Sequence, residues 1–388
     1  MTEVASAPRK LRVVICGGGV AALETALALA DLAPDRTDVT VIAPNAEFVY
    51  RPMVVREPFA YSSAQRYPLA RIVRDAGAKL LEGELGWIDP IPHAIHTKAD
   101  EAIGYDALVL ALGARVSKRY PHALTVDDRD LGETMHGLIQ DVEGGYIHKL
   151  AFVAPGRMAW PLPLYELALM TAGRAYDMQI KLETTIVTSE DTPLAIFGST
   201  ASDAVVDLLA AANVETVSSA YAEVPSSREV VIRPGDRHLE VDRVIALPEL
   251  SGPGVRGIPL GTNGFIRVDP HCRVPDVEAI YAAGDVTDFP IKMGGIGSQQ
   301  ADIAAQSIAA LAGASMTPER FNPVIHGMLL THEEPRYLTA QITGGHGFSS
   351  EITDTPTWSP GRKIAAKYLA PYLEALDRES ASGANAGA

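Results

Sequence analysis

The sequence contains very little cysteine. Its two cysteines, Cys16 and Cys272, lie far apart, and the pattern Cys-x-x-Cys is absent. Because a thioredoxin-like dithiol and a cysteine zinc site both need closely spaced pairs, the sequence excludes both motifs. One long-range disulfide remains arithmetically possible, although Cys16 lies in an apolar segment that favours a small core residue. His93 and His96 have no ligand partners at metal-site spacing, so we expect no metal site.

Long hydrophobic runs and an excess of basic charge are also lacking. No apolar stretch reaches the length of about 18 residues that a transmembrane helix needs. The N-terminal sequence MTEVASAPRK lacks the apolar core of a signal peptide, which favours a cytoplasmic protein. The formal net charge is −15, and such a surface repels nucleic-acid phosphates and anionic membranes. We therefore expect no nucleic-acid partner and no membrane contact.

The chain does contain alternating strand and helix patterns. Its 388 residues, of which 47% are hydrophobic and 21% charged, suffice for two or three globular domains. LRVVIC at 11–16 predicts a strand, AALETALALADLA at 21–33 a helix, and DVTVIA at 38–43 a second strand. This order is typical of a βαβ unit with a parallel sheet.

A second α/β series extends over residues 148–214, and further strand and helix patterns follow from residue 278. The predicted strands are HKLAFVAP (148–155), QIKLETTIVTSE (179–190), EAIYAAGD (278–285) and RYLTAQI (336–342). The predicted helices are PLYELALMTAGRA (163–175), ASDAVVDLLAAANV (201–214), QQADIAAQSIAALAG (299–313) and, with a proline interruption, GRKIAAKYLAPYLEALDRE (361–379). The fold class is therefore α/β, with two Rossmann-like domains of the dinucleotide-binding type and a small C-terminal α+β segment. Residues 381–388 are expected to be disordered.

A glycine cluster joins the first strand to the first helix. Gly17, Gly19 and Ala22 fit the fingerprint G-x-G-x-x-G/A. Gly17 permits the tight turn, Gly19 lets a pyrophosphate approach the backbone, and Ala22 allows close packing of helix on sheet. Together with Val20 and Ala21 they open a helix whose free N–H groups bind negative charge. The alternative is a glycine turn that has no ligand.

The contact to an adenosine ribose is marked less clearly. At the end of the second strand, where an acidic residue usually holds that ribose, the sequence reads Ala43-Pro44-Asn45. Asn45 can form a hydrogen bond there, whereas Glu47 lies past the expected position. Asn45 is therefore included in the predicted binding set.

Three segments, spread over most of the chain, carry a family resemblance. They are GGGVAALE at 17–24, YDALVLALGA at 105–114 and IYAAGDV at 280–286. In this order they resemble the FAD pyrophosphate motif, the second strand next to FAD and the third motif of the pyridine nucleotide-disulfide oxidoreductase superfamily. The resemblance implies FAD as cofactor, with Ala111, Gly113 and Gly284 beside it and with Asp285 accepting hydrogen bonds from its ribityl hydroxyls. A buried carboxylate is stable only with such donors.

The resemblance also implies how the chain is divided and what faces the flavin. Residues 8–116 and 253–320 would form the FAD-binding domain, 117–252 the second domain and 321–380 a C-terminal interface segment. In the superfamily, a helix N-terminus after the third motif faces the pyrimidine edge of the flavin. Here its amides run from Ile296 through Gln299 to Gln300, with Lys292 nearby, and they would stabilise the negative charge of a reduced flavin. A solvated surface lysine is the alternative for Lys292.

The second domain departs from the pattern of families that bind NAD(P)H. Glu166 stands where Glu24 stands in the first unit, but Ala159, Pro161 and Leu164 replace the residues at the positions of Gly17, Gly19 and Ala22. Larger side chains and prolines disfavour phosphate approach. A shifted site that uses Gly156 and Arg157 remains an alternative.

Two segments resemble one branch of the superfamily more than others. APGRMAWPLPLYELAL at 154–169 is similar to sulfide:quinone oxidoreductases and flavocytochrome c sulfide dehydrogenases. FVYRPM at 48–53 resembles the same branch and the type II NADH dehydrogenases, which adds Arg51 and Pro52 to the predicted cofactor-binding set. Sulfide oxidation in that branch needs a pair of redox cysteines near the flavin, which this chain cannot supply. We therefore do not expect a sulfide oxidase.

The leading hypothesis is an FAD-dependent oxidoreductase that moves electrons between a small donor and a quinone-like or protein acceptor. No side chain presents itself as an acid, base or nucleophile, since the flavin performs the redox step. The alternatives are an NAD(P)H-dependent reductase with an unusual nicotinamide site and a flavin-binding interaction protein with little turnover. The C-terminal helix is expected to pack on the domain or on a second subunit, so a homodimer is possible. Trp160 and Tyr165 are expected near the flavin.

Overall fold

The computed structural model describes residues 9–59, 63–156, 158–343 and 347–386. Its first part, up to residue 117, combines a parallel sheet with short antiparallel additions, and a 3-10 helix, Arg51–Phe59, lies between the third and fourth strands. The elements are β1 (Leu11–Cys16), α1 (Val20–Leu32), β2 (Thr37–Ala43), β3 (Glu47–Val49), β4 (Arg66–Pro68), α2 (Leu69–Asp75), β5 (Lys79–Glu82), β6 (Leu85–Asp89), β7 (Ala94–Thr97), β8 (Ala102–Gly104), β9 (Ala107–Leu110) and β10 (Arg115–Ser117).

The next part forms a second α/β unit. Its elements are β11 (Leu124–Thr125), α3 (Leu131–Glu143), β12 (Lys149–Val153), α4 (Leu162–Asp177), β13 (Glu183–Val187), α5 (Ser199–Ala211), β14 (Val214–Val217), β15 (Tyr221–Ser226), β16 (Glu229–Arg233), β17 (Arg237–Glu240), β18 (Arg243–Ala246) and β19 (Glu249–Ser251). The chain then returns to the first unit and ends in a separate sheet and helix. These elements are β20 (Ile280–Ala282), α6 (Gly294–Leu311), β21 (Val324–Leu329), β22 (Arg336–Thr343), β23 (Gly347–Thr353) and α7 (Leu369–Ala386).

The first unit is organised around β1. The parallel sheet has the order β20-β9-β1-β2-β5, and Val13 of β1 lies opposite Val39 on one side and Ala107 on the other. Helix α1 is apolar around most of its circumference because it packs between the sheet and α6. The chain leaves β1 toward β2, whereas β9 lies on the opposite side. The carboxyl ends of β1 and β9 therefore form a switch point, where open α/β sheets bind ligands.

The second unit repeats this plan. Its parallel sheet has the order β11-β18-β12-β13-β14, and the antiparallel strands β15, β16 and β17 pack on it. Strands β10 and β19 pair with each other, Val116 opposite Leu250, where the chain passes from the first unit to the second and back. The prediction of an α/β fold with two Rossmann-like domains and a C-terminal α+β segment is confirmed.

The C-terminal segment contacts both units. Strands β21, β22 and β23 form an antiparallel sheet that shares a core with the second unit, in which Leu329 and Leu338 belong to the same cluster as Leu164 and Phe197. Helix α7 then packs on the first unit, where Leu373 joins the core of α1. The residues between the sheet and α7 must therefore pass from one unit to the other.

Two expectations about this segment were wrong. The helix begins at Leu369 rather than near residue 361, and Pro371 lies in its first turn, where a missing N–H costs no helical hydrogen bond. The tail expected to be disordered from residue 381 continues α7 as far as Ala386. None of the described helices combines the length and apolarity that crossing a bilayer requires.

Candidate functional site

The turn after β1 has the geometry that phosphate binding requires. Gly17 has a φ of +132°, and a Cβ there would lie 2.1 Å from the carbonyl oxygen of Ala111, so only glycine fits. Gly19 differs, because a Cβ there would meet no protein atom within 4 Å. Packing within the protein therefore does not explain the glycine at position 19. The open space above it suits a pyrophosphate.

The start of α1 supplies the donors. The first helical hydrogen bond runs from Leu23 N to Gly19 O (3.1 Å), and the amides of Val20, Ala21 and Ala22 precede it without a helical acceptor. Ala22 is fully buried, as close helix–sheet packing requires. Ala21 lies against Gly284, where an added Cβ would come within 3.2 Å of its side chain. The first and third motifs of the sequence thus meet at this helix start.

Asp285 follows Gly284 beside this helix start, and its carboxylate lacks a hydrogen-bond donor in the described part of the chain. Burial raises its pKa to about 6, with Lys292 opposing and Asp128 adding to the shift. The turn that carries it is fixed from behind, because Gly284 N donates to Gln300 Oε1 (2.8 Å). A half-buried carboxylate without a donor among the described residues fits a ligand that brings hydroxyl groups.

Lys292 is buried rather than solvated, so the surface alternative was wrong. Its Nζ donates to the carbonyl oxygen of Thr287 and lies 4.0 Å from the centre of the Phe265 ring. Burial lowers the pKa of Lys292 to about 8, and the charges of Asp285 and Asp288 oppose this shift. A positive charge therefore stands beside Asp285.

Helix α6 starts next to these residues. Its first helical hydrogen bond runs from Gly297 N to Met293 O (3.0 Å), so the amides of Gly294, Gly295 and Ile296 precede it. Gln299 is differently engaged: its side-chain amide donates to Val324 O (2.8 Å) and accepts from Val324 N (2.9 Å). Gln299 thus joins α6 to β21.

The other predicted residues lie around this centre at different depths. Ala111 is buried at the end of β9, and Gly113 follows in the left-handed region with a φ of +70°. Asn45 is exposed in the turn after β2, and Pro52 is half-buried in the 3-10 helix. Arg51 forms an ion pair with Asp128 at 2.9 Å, and Asp128 is one of the charges that act on Asp285.

Sequence reasoning missed the partners of two buried glutamates. Glu24 of α1 accepts hydrogen bonds from the backbone amides of Lys367 (2.8 Å), Tyr368 (3.0 Å) and Leu369 (2.6 Å) at the start of α7. Burial raises its pKa to about 7 against these donors. Glu166 of α4 binds Lys363 Nζ at 2.6 Å. An acidic residue inside an apolar helix needs a partner, and that signal was present in the sequence.

The helix start of the second unit is closed where that of the first is open. Pro161 caps α4, and neither it nor Pro163 carries an N–H donor. Leu162 and Leu164 are buried in the core. Unlike the start of α1, this helix start lacks an N–H donor at two positions.

The ribose side of the second unit is closed as well. Glu190 follows β13, the second strand of the unit, where an acidic residue usually binds a ribose hydroxyl. Here its carboxylate accepts a hydrogen bond from the hydroxyl of Tyr165 (2.6 Å) and another from Thr188 (3.2 Å). Tyr165, expected near the flavin, is instead buried in the second unit. Gly156 of the alternative shifted site is exposed, and Arg157 lies outside the described residues.

Neither cysteine is placed for redox chemistry. Cys16 and Cys272 are both free and buried, so the long-range disulfide is absent. Burial raises the pKa of each thiol to about 12, which keeps both protonated at neutral pH. In the described part of the chain no cluster of His, Cys, Asp and Glu suits a metal ion.

Comparison with known proteins agrees with this geometry. The pattern of the pyridine nucleotide-disulphide oxidoreductase family matches residues 9–143 and 165–309. An NADH dehydrogenase-like protein of Mycobacterium tuberculosis is 27% identical over 292 residues, which are 71% of this chain and 72% of that protein. The sulfide-quinone reductase of Aquifex aeolicus is 23% identical over 297 residues, 72% of this chain and 69% of that protein. The crystal structure of the sulfide:quinone oxidoreductase from Aquifex aeolicus superposes with a TM-score of 0.78 at 20% identity, covering 89% of this chain and 87% of that one.

The match to the family pattern extends over both α/β units and includes the glycine turn, the end of β9 and Asp285. Family members are FAD-dependent oxidoreductases, and the residues at the switch point of the first unit suit this cofactor. The chain is an FAD-dependent oxidoreductase and belongs to the pyridine nucleotide-disulphide oxidoreductase family.

Proposed function

We propose that this oxidoreductase transfers electrons from a small donor other than NAD(P)H to a quinone-like or protein acceptor. The observation that supports it is the contrast between the two helix starts. In the first unit, the amides of Val20 to Ala22 have no helical acceptor, whereas Pro161 and Pro163 stand at the start of α4. Among the described residues of the second unit, the start of α4 offers a nicotinamide dinucleotide no comparable set of donors.

In the first unit, three groups of FAD have a candidate partner. The amides of Val20, Ala21 and Ala22 would bind the pyrophosphate, and the carboxylate of Asp285 would accept hydrogen bonds from the ribityl hydroxyls. FAD, when bound, supplies the two-electron and one-electron chemistry. Lys292 and the amides at the start of α6 would stabilise the negative charge of a reduced flavin.

The names of two relatives support a quinone-like or protein acceptor. One is named a sulfide-quinone reductase, and a neighbour with a TM-score of 0.67 is a ferredoxin reductase from Rhodopseudomonas palustris. Sulfide itself is not a suitable donor here, because both cysteines are buried and protonated. A donor that reacts directly at the flavin is compatible with the chain.

Anaerobic titration of the purified holoprotein tests the proposal. We expect NADH and NADPH to leave the visible flavin band unchanged over minutes, and a reduced quinone analogue or chemical reductant to bleach it. Reoxidation by an added quinone identifies the acceptor class. Rapid bleaching by either nicotinamide would contradict the proposal. It would favour the second candidate, an NAD(P)H-dependent reductase, which the name of the mycobacterial relative supports.

A further inference from the structure

Residues 362–369, which we call the strap, pass from the second unit to the first. At one end Lys363 binds Glu166 of α4, and the two side chains are 6% and 0% exposed. At the other end Glu24 of α1 accepts three amide hydrogen bonds from the last strap residues. Glu24 and Glu166 occupy equivalent positions of the two units. The strap is therefore held at both ends by a glutamate at the same position of an equivalent helix, α1 in the first unit and α4 in the second.

Between its two ends, the strap lies directly on the start of α6. A Cβ added to Gly294 would come within 2.9 Å of Ile364, so strap and helix are in close contact there. Ser298 of α6 donates to the carbonyl oxygen of Ala365 (3.0 Å). The amide of Ile364 donates to the hydroxyl of Tyr50 (2.8 Å), which fixes the strap from the other side.

The ion pair between Lys363 and Glu166 is not an efficient way to increase the free energy of unfolding. Burying two charges costs several kcal/mol per ion, and hydrophobic replacements of such pairs are often as stable. Moreover, Oε2 of Glu166 is buried without a hydrogen-bond partner among the described residues. The ion pair does fix the position of the strap, because Lys363 is the neighbour of Ile364, which contacts Gly294.

We propose that Lys363 is a positioning residue for the flavin. By binding Glu166 it holds the strap across the start of α6, and this contact sets how tightly the helix amides close on the flavin edge. The proposal rests on the flavin placement given under Proposed function. It does not depend on the identity of donor or acceptor.

The test compares Lys363→Met with Lys367→Met, a matched control in the same strap. Lys367 pairs through its side chain with Asp302 at 3.4 Å and is more than half exposed, so its loss should leave FAD binding within about twofold. Lys363→Met should raise the Kd for FAD at least about tenfold and increase quenching of flavin fluorescence by iodide. Both are measured by adding FAD to apoprotein.

A double variant, Lys363→Met with Glu166→Gln, separates positioning from stability. It removes both charges and keeps an oxygen acceptor for the amide of Leu330, so thermal stability should recover toward that of the wild type, while FAD affinity and iodide protection should remain impaired. Recovery of both flavin properties in the double variant, or wild-type values in Lys363→Met, would overturn the proposal. These readouts need no substrate. Bleaching of the wild-type flavin by NADH would refute the proposed function alone.

Discussion

The two α/β units begin their first helices in opposite ways. In the first, Gly19 has open space around it before α1, and the carboxylate of Asp285 has no hydrogen-bond donor among the described residues. In the second, Pro161 caps α4, and the acid after β13 is already bonded to Tyr165. Both nevertheless keep a buried glutamate at the same helix position. The packing of helix on sheet is therefore the same in both units. Only the first unit keeps an open turn at which a ligand can reach the backbone.

The difference also shows how a binding unit can become an internal scaffold. A parallel sheet with flanking helices remains stable without phosphate at its switch point because its core lies elsewhere, in residues such as Phe152 and Leu167. With prolines in place of the glycines, the helix start no longer offers a phosphate site, but the glutamate of α4 still contacts the strap, as Glu24 of α1 does. Here Glu166 binds Lys363 of the strap.

The largest effect on stability and FAD binding is expected from a change in the glycine turn of the first unit. Gly17→Ala places a Cβ against the carbonyl of Ala111 at a φ that side chains rarely adopt, and should cost about 3 kcal/mol of unfolding free energy or more. FAD binding should be lost with it. Urea unfolding of the apoprotein and FAD titration measure the two effects.

Gly19→Ala is the matched control for that change. Its Cβ meets no protein atom, so apoprotein stability should change by less than about 1 kcal/mol, while the Kd for FAD rises about tenfold because the methyl group enters the ligand's space. Unchanged FAD affinity in Gly19→Ala would place the pyrophosphate elsewhere.

Asp285→Asn is expected to have a smaller effect than Gly17→Ala. Losing hydrogen bonds to a charged acceptor should weaken FAD binding by about 2 kcal/mol, or roughly thirtyfold. In the wild type, hydroxyl donors favour the ionised carboxylate, so binding releases a proton from a group whose pKa is raised to about 6. Affinity should therefore rise as pH increases through 6 and then level off.

Titrations of apoprotein with FAD at pH 5, 6 and 7.5 measure this slope. Asp285→Asn should remove it, because the amide does not titrate. An affinity that falls with rising pH would mean that Asp285 binds as the neutral acid and donates the hydrogen bond.

Much of this contrast was readable from the sequence, since it depends on local residue types. The glycines of the first turn, the prolines before Glu166 and the strand–helix alternation all act within a few residues of one another. The strap could not be predicted, because its partners are separated by about 200 to 345 positions and pair only after both units fold. The contacts of Tyr165 and Lys292 were not predicted either, although their partners Glu190 and Thr287 are much nearer in the sequence.

The smallest effect is expected in the second unit, at the hydrogen bond between Tyr165 and Glu190. Tyr165→Phe removes the hydrogen bond to Glu190 and should lower the unfolding free energy by about 1–2 kcal/mol, because a mostly buried carboxylate loses one of its donors. Tyr176→Phe, at the exposed end of the same helix, should have no measurable effect. FAD affinity should be unchanged in both, since neither side chain belongs to the first unit. If Tyr165→Phe instead allowed NADH to bleach the flavin, this hydrogen bond would be the barrier that keeps nicotinamide out, and the prolines before α4 would matter less than their position suggests.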